Sequence, residues 1–161
     1  MQSDHSDDRT YREYDKYGRM LLNMYIQDNG NKLYTYYDET GIKTEEKTLC
    51  VNGDIVDNFF DSSGIVIKQV MDNSDGTKSI TEYNDSHKRI RDIFYDSDGK
   101  IIQAWTMEYS EDGKEKLEVN LCADGSKFIT TYDENGNQIQ KTYTYADGRT
   151  IILDDSDDLD D

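Results

Sequence analysis

The eleven glycines of this chain stand at positions 18, 30, 41, 53, 64, 76, 99, 113, 125, 136 and 148. Most steps between them are 11 or 12 residues, in alternation, and His87 fills the vacant place between 76 and 99. Two steps make a 23-residue unit, opened by an aromatic residue at Tyr14, Tyr37, Phe60, Tyr83, Tyr109 and Tyr132. Only the unit 83–108 departs from that length, at 26 residues. Self-similarity at a fixed period sets the architecture before any other signal does. Six to nine residues remain between successive breaks, the length of a strand and too short for a packed helix.

Each unit holds two turn signals. The first is Tyr-Asp-x-x-Gly, as in Tyr14-Asp15-Lys16-Tyr17-Gly18 and Tyr132-Asp133-Glu134-Asn135-Gly136. The second is shorter, as in Asp28-Asn29-Gly30, Asn52-Gly53, Asp75-Gly76, Asp124-Gly125 and Asp147-Gly148. Asn-Gly and Asp-Gly supply the positive φ angles of tight hairpin turns, and His is one of the few other residues enriched there. The intervening segments are rich in Tyr, Thr, Ile and Val, as strands are. The complete absence of proline suits a sheet that needs each N–H.

The expected fold is therefore all-β: an antiparallel meander of about 13 strands built from six hairpin repeats over residues 11–153. An acidic segment, 1–10, precedes it and an acidic tail, 154–161, follows it. Alternation puts Met20, Leu22, Met24 and Ile26 on one face, with a mixture such as Leu21, Tyr25, Tyr34 and Tyr36 expected on the other. An elongated twisted strip is the leading shape. A sandwich and a rolled barrel also answer the need of so many strands to curl, split or close.

The segments 14–19, 95–100 and 132–137 begin Tyr-Asp and carry glycine at their fifth position. They resemble the YD repeats of bacterial Rhs-type shells and teneurins. The 23-residue hairpin period is similar to the MORN-variant repeats of small bacterial antitoxin proteins. The resemblance covers residues 11–153 and implies hairpin architecture. Tyr-Asp is structural in both families, so the resemblance implies no catalytic residue.

Charge narrows the functions that such a sheet can serve. With 35 acidic and 18 basic side chains among 161 residues, the net charge is −17. That field repels phosphates, which argues against direct binding of nucleic acid and for a basic protein surface as partner. No apolar run of about 18 residues exists to cross a membrane as a helix. The start, Met1-Gln2-Ser3-Asp4-His5, lacks a basic region followed by an apolar one, so no secretory signal is expected.

Catalytic constellations are not evident. Cys50 and Cys122 occupy equivalent places three repeats apart, and six strands between them amount to ~29 Å in a meander. A disulfide needs Cα atoms within ~7 Å, so both are expected as free, buried thiols in a reducing cytoplasm. Nucleophilic catalysis would have to use His87 beside Ser86, but that slot holds glycine elsewhere and backbone geometry explains it. The acidic loops 72–76 and 96–99 lack the calcium-loop spacing of glycine sixth and glutamate twelfth. The expectation is a chain without enzymatic activity, cofactor or metal.

Residues 154–161 hold six acids and no base, and residues 10–153 keep 26 acids against 17 bases. In a meander, alternate turns line up on opposite edges. One edge would carry Asp15, Asp38, Asp61, Asp85, Asp112 and Asp133, the other Asp28, Asp54, Asp75, Asp98, Asp124 and Asp147. Turns two strands apart lie ~9–10 Å from each other, so two acidic rails imitate a duplex crudely. The terminal acids would also guard exposed edge strands against aggregation.

The irregular unit adds the only tryptophan, Trp105, with acids around it. Tryptophan is enriched in binding hot spots, so Asp98, Trp105, Glu108, Glu111 and Asp112 are the expected partner-binding residues. A β-bulge with a core tryptophan is the structural alternative.

The expected function is inhibition of a basic, toxin- or nuclease-like partner by an immunity protein, antitoxin or phage-encoded anti-defence inhibitor, with nucleic-acid mimicry as one means. A structural YD-repeat segment of a bacterial surface or secreted protein is the alternative.

Overall fold

The computed structural model describes residues 2–7, by their backbone alone, and 9–153. Its strands are β1 (Gln2–Asp7), β2 (Thr10–Tyr14), β3 (Met20–Ile26), β4 (Lys32–Tyr37), β5 (Lys43–Leu49), β6 (Ile55–Phe60) and β7 (Val66–Asp72). They continue as β8 (Lys78–Tyr83), β9 (Arg89–Tyr95), β10 (Ile101–Tyr109), β11 (Glu115–Cys122), β12 (Lys127–Tyr132), β13 (Gln138–Thr144) and β14 (Thr150–Leu153). All fourteen lie in one open antiparallel sheet in chain order, with no helix among the described residues. The sheet is neither a sandwich nor a closed barrel.

The expected acidic segment 1–10 is not a separate region, because β1 lies within it and pairs with β2. This accounts for one strand more than the turn spacing indicates: the loop before Thr10 has no glycine to mark it. The tail 154–161 lies outside the described residues.

One turn geometry serves all twelve loops from residue 15 to 149. The first residue's N–H donates to the carbonyl of the fifth, and the fourth residue's N–H donates back to the carbonyl of the first, at 2.8–3.1 Å. Positive φ falls on the fourth residue alone, glycine throughout except His87 at 58°. The Asn or Asp before the glycine does not itself take a positive φ. The loops are three-residue connections with a single left-handed position. The preceding acid or amide works through its side chain instead: Asp75 Oδ1, for example, accepts the Thr77 N–H at 2.9 Å.

Register corrects one further expectation. Leu22 and Met24 pair directly with Tyr36 and Tyr34, so those tyrosines share the face of Leu22 and Met24, and Tyr25 pairs with Leu33 on the other. The connection between β3 and β4 sets this, since an alternating pattern cannot by itself say which face the next strand presents.

A single layer leaves no room for a conventional core. Among the described residues, the apolar side chains that are buried are Ile93 and Met107. Cross-strand pairs carry the stabilisation instead. Cys50 and Cys122 are free and half-buried rather than buried, at the ends of β5 and β11, six strands apart.

Candidate binding surface

The strands and turns divide the charge unequally. The twelve five-residue turns hold sixteen acids and six bases, whereas the strand residues from 10 to 153 hold ten acids and eleven bases. Within residues 10–153 the acidic excess therefore lies wholly on the two turn edges, and β1 adds Asp4 and Asp7 to the sheet. One edge is formed by turns 15–19, 38–42, 61–65, 84–88, 110–114 and 133–137. The other is formed by turns 27–31, 50–54, 73–77, 96–100, 122–126 and 145–149.

Several neighbouring turns are bonded to one another along each edge. On the first, Arg19 donates to the Glu39 carbonyl at 2.7 Å, His87 meets Asp61 Oδ2 at 2.7 Å and Lys114 donates to the Glu134 carbonyl at 2.8 Å. The Lys88 ammonium likewise reaches the Gly113 carbonyl. On the second, Asn31 Oδ1 accepts the Val51 N–H at 3.1 Å and Asp54 Oδ1 accepts the Ser74 N–H at 2.8 Å.

Several turn aspartates are held in their ionised form by hydrogen bonds within and between the turns. The Thr40 hydroxyl and then the Ile42 N–H hold Asp38 below the usual carboxylate range, and the Asn137 N–H does the same for Asp133. His87, ahead of the Ile65 N–H, lowers Asp61. Asp54, Asp75, Asp112, Asp124 and Asp147 are lowered too. A carboxylate that accepts such bonds is stabilised in its charged form.

The residues expected to bind a partner do not converge. Trp105 lies near the middle of β10 on one face, and alternation puts Glu108 on the opposite face. Asp98 sits on one turn edge, while Glu111 and Asp112 sit on the other. Proximity in sequence is lost here because a strand sends successive side chains to opposite sides. The insertion itself is a lengthening: β10 has nine residues where β4, β6, β8 and β12 have six. It also bears a register shift between Ile101 and Gln103.

Trp105 is engaged within the sheet. Its Nε1 donates to Glu118 Oε1 at 2.7 Å, and the same carboxylate accepts from Asn120 Nδ2 and from the Tyr132 hydroxyl, each at 3.2 Å. The Arg89 guanidinium lies 4.5 Å from the Trp105 ring centre and pairs with Asp92 at 2.9 Å. Burial, and then the Glu118 charge, push the Tyr132 hydroxyl up to about 12. The cluster ties β9, β10, β11 and β12 together. Sequence reasoning missed Glu118, Asn120 and Tyr132: a register counted from the turn alone puts Val119 opposite Trp105, and the shift between Glu108 and Tyr109 brings Asn120 there instead.

The tryptophan belongs to a continuous central row on its face. Across consecutive strands the paired residues are Arg12, Asn23, Thr35, Glu46, Asn58, Gln69, Thr81 and Asp92. From there the row continues as Trp105, Asn120, Phe128, Tyr143 and Ile151. It is polar through β9 and mainly aromatic or apolar beyond it. Phe128 and Tyr143 have ring centres 4.8 Å apart, and Tyr145 continues the stack at 4.7 Å from Tyr143.

No group of three or more His, Cys, Asp or Glu among the described residues is placed to hold a metal ion. No described helix is long and apolar enough to cross a membrane.

No family model matches the chain, and no curated protein matches it. Among solved structures it is similar to a mutant of S. aureus TarM in complex with fondaparinux, alpha-GlcNAc-glycerol and UDP. The identity is 15% and the TM-score 0.43, over 75% of this chain and 21% of that one. A crystal structure of TarM matches at 12% identity and a TM-score of 0.28, over 79% of this chain and 20% of that one. The chain spans about a fifth of the length of these TarM chains.

Proposed function

We propose that this chain is a cytoplasmic, non-enzymatic binding protein that inhibits a basic, nucleic-acid-handling partner, as an immunity protein, an antitoxin or a phage-encoded anti-defence inhibitor does. The observation that carries this reading is the confinement of the acidic excess of residues 10–153 to two turn edges, with sixteen acids to six bases. Strands of six to nine residues set these edges ~20–30 Å apart, with ~9–10 Å between turns along each. Such spacing supports imitation of the two phosphate strands of a duplex. The lowered aspartates keep the rails charged under all near-neutral conditions.

The test is capture of the partner from a host lysate, followed by binding kinetics at several salt concentrations. Attraction of this kind is steered at long range, so association slows steeply as the Debye length falls from ~30 Å at 0.01 M to ~8 Å at 0.15 M. Deleting residues 154–161 removes six acids and lowers the on-rate. Reversing Asp98 on one edge and Glu111 with Asp112 on the other, in separate variants, identifies the rail that makes contact. Association that does not vary with salt would rule the reading out.

A structural repeat segment of a surface or secreted protein is the second reading. It is favoured by the turn carboxylates that brace their own loops, such as Asp61 Oδ1 accepting the Ser63 and Ile65 N–H groups at 2.8 and 3.0 Å. A long open reading frame around this segment supports it, and an adjacent toxin or defence gene supports the first.

A further inference from the structure

We infer that the aromatic part of the central row, Trp105 with Phe128, Tyr143 and Ile151, seats an arginine-bearing segment of the basic partner. The inference rests on the acidic-binder reading above and says where on the sheet the partner lies.

Several observations point to this occupant. The row spans β10 to β14, ~19 Å at ~4.8 Å per strand, with Asn120 on β11 as its one polar member. Phe94 beside its start is 41% exposed and Ile151 at its far end is 43% exposed, while Trp105, Phe128 and Tyr143 between them are half-buried.

The rings of this region already accept cations. Arg89 lies over Trp105 at 4.5 Å, Lys141 over Phe128 at 5.7 Å and Arg149 over Tyr145 at 4.8 Å. An arginine from outside takes the place of one of these resident cations in the same geometry, since its planar guanidinium is weakly hydrated and an ammonium is not.

Charge complementarity supplies the rest. The five turns that border these strands, 96–100, 110–114, 122–126, 133–137 and 145–149, hold eight acids against three bases. A basic segment laid across the row meets rings beneath it and carboxylates at either end. The polar part of the row offers it no ring.

Trp105 is the only tryptophan, so its emission reports on the row directly. The wild-type protein is titrated at low ionic strength with an oligoarginine peptide and with an oligolysine peptide of equal length. Binding is followed by anisotropy of the labelled peptide and, in parallel, by Trp105 fluorescence. The expected result is a saturable change in Trp105 emission with the same midpoint as the anisotropy, and oligoarginine binding several-fold more tightly than oligolysine. Phe128→Thr with Tyr143→Thr keeps strand-forming residues and weakens oligoarginine by about fivefold or more.

Binding by anisotropy with unchanged Trp105 emission and no preference for arginine would overturn the inference and leave the rails as the contact. Absence of any binding would overturn the acidic-binder reading with it. The wild-type fluorescence needs no variant, so a double substitution that fails to fold leaves the inference testable.

Discussion

The two parts of the central row have the same backbone and different chemistry. From β2 to β9 the row is a file of polar side chains, in which Gln69 Nε2 donates to Asn58 Oδ1 at 2.8 Å and Arg12 to Asn23 Oδ1 at 3.2 Å. From β10 onward it carries Trp105, Phe128 and Tyr143, and the longest strand opens that part. The difference teaches that in a single-layer sheet the hydrogen-bond ladder and the turns carry the architecture. The side chains of a row are then free to differ from one part of the sheet to another without changing the backbone.

The comparison is broken most strongly at the junction. Trp105→Ala removes the indole beneath Arg89 and leaves the Glu118 carboxylate short of a donor, so about 2–3 kcal/mol of stability is lost. Asn58→Ala, in the same row on β6, gives up one side-chain hydrogen bond and costs about 0.5–1.5 kcal/mol. Urea unfolding of both variants measures the contrast, and equal losses would mean that the two parts do not differ energetically.

The edges permit a second, smaller contrast. Gly41 and Gly76 both hold positive φ, at 85° and 88°. A Cβ at Gly41 meets nothing within 4 Å, whereas one at Gly76 comes within 3.0 Å of the Ser97 Cβ in the next turn. Gly41→Ala is expected to cost about 1–2 kcal/mol from the backbone alone, and Gly76→Ala more, because the neighbouring turn must also give way. Thermal unfolding of the pair shows whether turn-to-turn packing stabilises the second edge.

Acid tests both edges together. The turn aspartates have folded values below their ordinary one, so the stability they lend is present above about pH 4 and is lost as pH falls through those lower values. The melting temperature should stay nearly level from pH 7 to 5 and decline below about pH 4. In Asp38→Ala the decline should be shallower.

The smallest effect is expected at His87→Gly. Glycine relieves the left-handed backbone but loses the 2.7 Å contact with Asp61. The net change, read from the same melts, should stay within about 0.5 kcal/mol.

The turns were the legible part of this fold. A glycine every 11 or 12 residues marks where strands stop, and the strand order of a meander follows from short connections. Turn type was less legible, because Asp-Gly and Asn-Gly are compatible with one or two left-handed residues and only the backbone hydrogen bonds decide between them. Faces were misjudged at Tyr34 and Tyr36, since each loop resets the alternation. The expected site residues were chosen as neighbours in sequence, and the sheet sends them to two faces and two edges. Glu118 and Tyr132 were missed because they join the cluster across strands, Glu118 bonding Trp105 at a sequence separation of 13 and Tyr132 bonding Glu118 at 14.

Each strand bonds only to the strands before and after it in the chain, and no described element touches a more distant one. Such a molecule behaves as a line of nearest-neighbour couplings with no keystone. Its ends fray at little cost while the middle must open from both sides, so amide protection should rise from the terminal hairpins toward the central ones. The largest loops that must close during folding are single hairpins. The chain therefore belongs with low-contact-order proteins, which fold fast despite consisting of sheet alone.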